Sequence, residues 1–105
     1  MKLGGIGEVI AERKLRLAQR DGRVTTITVK LGKPLEFPDE TGFYAPFQII
    51  GVGSEKAKYA GGVDGIQALQ LAMKMIGAYL NAIREEQAAE LTWEGGDNGD
   101  VGFPD

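Results

Sequence analysis

The sequence predicts an α+β domain: an antiparallel meander of about four strands, then one long helix packed on one face, with a short C-terminal strand as the last candidate element. Three observations predict it. Only Gly62–Gln87 carries a long helical period. The segments before it alternate apolar and polar residues, as strands with one buried face do. Gly, Pro and Asp clusters punctuate those segments, and runs of strands followed by a helix point to an α+β layer pair.

Met1 to Gly7 is Gly-rich and reads as loose. Glu8–Gln19 reads as the first strand, with Val9, Ala11, Leu15 and Leu17 inward and Glu8, Glu12, Lys14 and Arg16 outward. Arg13 interrupts the inner row, which suits a place near a sheet edge with its head in water. Arg23–Leu31 alternates in the same way, with Ile27, Val29 and Leu31 inward. Both inner rows are odd-numbered, so facing residues must sum to an even number. A two-residue turn at Asp21-Gly22 would turn one strand inside out. A three-residue loop, Arg20-Asp21-Gly22 with Gly22 left-handed, keeps the faces together. It sets Leu15 opposite Ile27 and Glu12 opposite Lys30.

Gly32–Gly42, with Pro34, Pro38, Asp39 and Glu40, reads as a loop. Phe43–Val52 is a third strand with Phe47 and Ile49 inside, and Pro46 marks an edge side or a bulge because it has no N–H for a ladder. Lys56–Ala60 is a short fourth strand, with Ala57 and Tyr59 on one face. Asp64 suits the helix N-cap, and Gln67 three residues on can reach back. Ile66, Leu69, Met73, Ile76, Leu80 and Ile83 recur at spacings of three and four, and Ala68, Ala72, Met75 and Tyr79 widen the apolar arc to about half the cylinder. Gly77 in mid-helix costs about 1 kcal/mol relative to Ala, so a close neighbour is expected there. Leu91-Thr92-Trp93 is the candidate fifth strand. Residues 1–94 are read as one domain, and 95–105 as an acidic Gly/Asp-rich tail.

Composition removes much chemistry. The chain of 105 residues holds no Cys and no His. That excludes disulfides, thiolate catalysis and the commonest metal ligand and general base. No glycine pattern completes a phosphate-binding loop. The only Ser, Ser54, lies in a turn with no His to activate it. Glu85 and Glu86 are helix neighbours and point about 100° apart, so they form no acid–base pair. Asp97, Asn98, Gly99 and Asp100 have calcium-loop residue types but neither the spacing nor the terminal Glu. No cofactor and no metal are expected. No segment suits a signal peptide or a bilayer span, so the expected compartment is the cytoplasm.

The net charge of −3 hides +5 in residues 1–33 against −8 in residues 34–105. The outer face of the first hairpin, with Lys14, Arg16 and Lys30 and with Arg20 and Arg23 at its tip, could bind nucleic acid weakly. Glu8 and Glu12 interrupt it.

The chain resembles a family of short bacterial proteins known only as a domain of unknown function. The residues that carry this are Ile10-Ala11-Glu12-Arg13, Phe47-Gln48-Ile49, Gly62-Val63-Asp64 with Gln67 to Ala72, and Leu91-Thr92-Trp93, spanning most of residues 8–103. The resemblance implies no activity and no site. The residues themselves point to a small non-enzymatic protein-interaction module, homodimeric through the surplus width of the helical arc. Tyr44, Trp93 and Phe103 are candidate partner-binding residues. The alternative is a small-ligand binder with a pocket between helix and sheet lined by Met73, Met75 and Tyr79.

Overall fold

A computed structural model of the chain describes residues 3–96 and 99–104. The elements run β1 (Val9–Ala18), β2 (Val24–Gly32), β3 (Leu35–Glu36), β4 (Phe43–Ile50), β5 (Lys58–Gly62), α1 (Gly65–Glu86) and β6 (Glu90–Thr92). Every strand pair is antiparallel. The α+β architecture expected from the sequence is the one found.

The first hairpin has the register that the faces demand. Leu15 lies opposite Ile27 and Glu12 opposite Lys30. Gln19 N–H donates to the Arg23 carbonyl at 2.9 Å, closing the loop Arg20–Gly22, and Gly22 takes φ +92°. Only a residue without Cβ adopts that bulge conformation at no steric cost. The Asp21 carboxylate accepts the Arg23 backbone N–H at 3.0 Å and its Nε–H at 2.6 Å. The backbone bond, then the side-chain bond and charge of Arg23, hold the Asp21 carboxyl below its ordinary value despite full exposure.

The start of β1 departs from the expected inner row. Leu15 and Leu17 are buried, but Val9 and Ala11 are exposed. The pairing slips between Val9 and Ala11. A bulge of this kind bends the strand, and here it carries its first residues out from under the helix.

β5 lies along one edge of β4 through a single unbroken register, Phe43 with Gly62 to Phe47 with Lys58. The other edge is shared: β2 pairs with Phe47–Ile50 and β3 with Phe43–Tyr44. β3 therefore continues the line of β2, displaced by one residue. The sequence offered only a loop here, because a two-residue bridge after Lys33-Pro34 shows no alternation. The lapse in β4's ladder falls at Ala45-Pro46, where the proline has no N–H to give. β5 begins at Lys58 and runs through the glycines, so Ala60, not Ala57, is its buried residue.

α1 begins as its caps require. Asp64 accepts the Gln67 N–H at 2.8 Å, and Gln67 Oε1 accepts the Val63 N–H at 2.7 Å. At its end, Ala88 N–H donates to Glu85 and Ala89 N–H to Arg84, a full Schellman closure with Ala88 left-handed at φ 46°. The buried row is Ala68, Ala72, Ile76 and Leu80, one residue every four. Ile66, expected on this face, is 70% exposed. It lies about 80° round the cylinder from Ile76, on a flank that the sheet does not reach.

Phe47, Leu17, Ile27, Ile76, Leu80 and Leu91 are fully buried between the layers. Each such aliphatic side chain contributes about 1.5–3 kcal/mol. Two irregular segments complete the packing. On the helix face, Val101 joins the core and Phe103 packs against it. A Cβ on Gly77 would lie 2.7 Å from the Pro104 carbonyl, which identifies the close neighbour expected at that glycine. The packed unit thus extends past residue 94. On the opposite face, Phe37, Tyr44 and Tyr59 stack in series at 5.3 and 5.7 Å. Tyr59 donates its hydroxyl to the carbonyls of Leu3 and Gly4. Residues 3–7, read as loose, lie across this second face.

Candidate functional site

β1 brings the two unusual features of the molecule together, one on its inner face and one along its outer edge. On the inner face, Arg13 stands in the row of Leu15 and Leu17. Its stem crosses apolar surface, and its guanidinium sits 3.9 Å from the Trp93 ring centroid and 4.9 Å from that of Phe103. Nη1 donates to the Gly102 carbonyl at 2.5 Å. The expectation that this head points into water is corrected: two aromatic rings enclose it. Cation–π contacts of this kind stabilise by about 0.5–2 kcal/mol, more as water is excluded.

The glycines of the tail serve this cluster. A Cβ on Gly95 would come within 2.6 Å of the Trp93 ring, and one on Gly102 within 2.6 Å. The backbone wraps the indole at distances only glycine allows. Trp93 Nε1 is buried, with no hydrogen-bond partner among the described residues. Gly102 N–H donates to Asp100 Oδ1 at 2.7 Å, which gives that acid a turn-forming role. Asp97 and Asn98, the first two residues of the calcium-loop reading, lie outside the described residues.

Beside Arg13 a cleft of about 190 Å³ opens between helix and sheet, lined by Ala11, Glu12, Arg13, Val29, Leu31, Met73, Gly102 and Phe103. Of the three residues expected in a helix–sheet pocket, only Met73 lines it. Met75 and Tyr79 lie on the other flank of α1, where Tyr79 packs 6.2 Å from the Phe47 ring and beneath Lys58 Nζ at 5.2 Å. The expected partner-binding trio divides as well. Trp93 and Phe103 meet around Arg13, whereas Tyr44 is buried on the opposite sheet face. The sheet takes most of the apolar arc of α1, with Leu69, Met75 and Ile83 packed against the core, and the exposed residues Ile66, Leu71 and Tyr79 point in three directions around the axis.

The outer edge of β1 is the second feature. β6 pairs only with Arg16–Ala18. Because Gln19 bonds toward β2, alternation turns Glu12, Lys14 and Arg16 outward. β6 occupies Arg16. Among the described residues no strand pairs with the outer edge of Val9–Leu15.

On the outer face, Lys14 and Arg16 are exposed, Lys30 stands opposite Glu12, and Arg23 is paired with Asp21. Acidic residues thus interleave the basic ones. No helix among the described residues is long and apolar enough to cross a membrane.

Residues 11–105 match the family described as a domain of unknown function, DUF6968, and the chain belongs to that family. No curated protein and no solved structure matches the chain.

Proposed function

We propose that this DUF6968 member is a non-enzymatic interaction module that works as a homodimer, the two copies pairing β1 with β1 along their uncovered edges. One observation supports the reading: β6 covers three residues of a ten-residue strand, and among the described residues the outward donors and acceptors beyond them have no strand partner. Such an edge is a template for a further strand.

Beyond the bulge the edge is complementary to itself in one register. To keep both helices on one face, facing residues must sum to an even number. Pairing about Arg13 sets Glu12 opposite Lys14 twice, within the part of the strand whose register is unbroken. Arg13 then faces its copy on the inner face, where Trp93 and Phe103 hold its head; pairing about Glu12 opposes an open charge to itself, and later centres run into β6. Opposite charges across strands contribute about 0.2–1 kcal/mol, and like charges cost a similar amount.

Size-exclusion chromatography with light scattering tests this. A dimer is expected at tens of micromolar, order of magnitude, since weak edge pairing falls in that range. Glu12→Lys should weaken it roughly four-fold or more, since two attractive pairs become repulsive, and Glu12→Lys with Lys14→Glu should restore it. Glu12→Pro removes only an outward donor and should give a folded monomer. A wild-type monomer at about 100 μM removes the homodimer. A dimer indifferent to Glu12→Lys and Glu12→Pro places the interface elsewhere.

A further inference from the structure

We infer that the cleft beside Arg13 is a binding site for a small organic monoanion, a carboxylate on a short apolar chain, with the carboxylate on the free side of the Arg13 guanidinium. This stands apart from the edge pairing and would hold in monomer or dimer.

A guanidinium has five N–H donors in a rigid fork, and Arg13 spends one on the Gly102 carbonyl. No carboxylate pairs with it among the described residues, where the single ion pair is Arg23 with Asp21. The other polar neighbours are carbonyl and ring, so a planar, fork-matched anion is the chemistry left open. Val29, Leu31 and Met73 form walls that take an alkyl or aryl group. Met73 is unbranched and adapts to the shape it meets.

Size and charge narrow the class. At about 190 Å³ the cleft is smaller than the roughly 300–1,000 Å³ of sites for drug-sized ligands, so the guest is a fragment of few carbons. Arg13 is the one cation among the lining residues, which matches a single negative charge.

Trp93 is the only Trp and touches the Arg13 head, so its emission reports on the site directly. Hexanoate is the probe, with hexanol and hexylammonium as neutral and cationic matches. Hexanoate is expected to change Trp93 emission saturably with a Kd of about 0.1–3 mM, the scale of one charged pair and a few buried carbons. The two controls should not. Arg13→Lys should weaken binding several-fold, and Arg13→Met should abolish it. If either variant unfolds, the side-chain Nε–H resonance of Arg13 in the wild type decides the same question, because hexanoate must shift it. No saturable response by about 10 mM, an equal response to hexanol, or an unmoved Arg13 resonance overturns the inference.

Discussion

Two covers close the same face of this sheet, and they are built on different principles. α1 brings 22 residues, satisfies its own backbone and presents one buried residue every four. The segment Val101–Pro104 has no ladder and no period. It is held by Val101 in the core, Phe103 against Arg13, and the Gly102 carbonyl on Nη1. A helix cover opens only with the whole fold, because its hydrogen bonds and packing are lost together. A cover held by three contacts can lift alone, at the low end of the local unfolding scale.

Leu80→Ala tests the first half of that contrast. It should cost about 2–5 kcal/mol in urea unfolding, with the transition still cooperative. Phe103→Ala tests the second: about 1–2 kcal/mol, since the ring packs against the core but keeps some exposure, with faster hydrogen exchange confined to the residues near 99–104. If both variants slowed or hastened exchange uniformly, the two covers would be one cooperative unit. Ala88→Gly sharpens the helix side. Its left-handed backbone strains an Ala, so Gly there should raise stability by about 1 kcal/mol by thermal melting. Asp21→Asn is the smallest and touches neither cover. The folded Asp21 carboxyl lies below its ordinary value of 3.8, so its contribution is present above that pH and fades as the pH falls through the folded value. Near neutrality the variant should melt slightly lower than the wild type, and acid titration should close that gap as the pH falls below about 4.

Sequence reasoning reached whatever is periodic. The parity of two inner rows was enough to set the hairpin loop and to place Glu12 opposite Lys30, and the spacing of Ile76 and Leu80 located the helix's buried side. It also pointed to a close neighbour at Gly77. It did not reach what is held by single contacts between distant residues. Nothing near Arg13 in the chain announces that Trp93 and Phe103 will enclose it, and the glycines around that indole read as looseness rather than as close fit. β3 escaped because two residues make no pattern. Ile66 and the Met73–Tyr79 pairing failed for one reason: an arc drawn on a wheel does not say where the sheet beneath it ends.

The N-terminal crossing bears on how this protein should be produced. The family match opens at residue 11, yet Leu3 and Gly4 receive the Tyr59 hydroxyl, and the Ile6 carbonyl lies against Gly32. A recombinant fragment cut at the match boundary would leave a phenol without its acceptors and strip cover from the buried Pro46. Such a preparation should be prone to clumping, for a reason that has nothing to do with the chain's native associations.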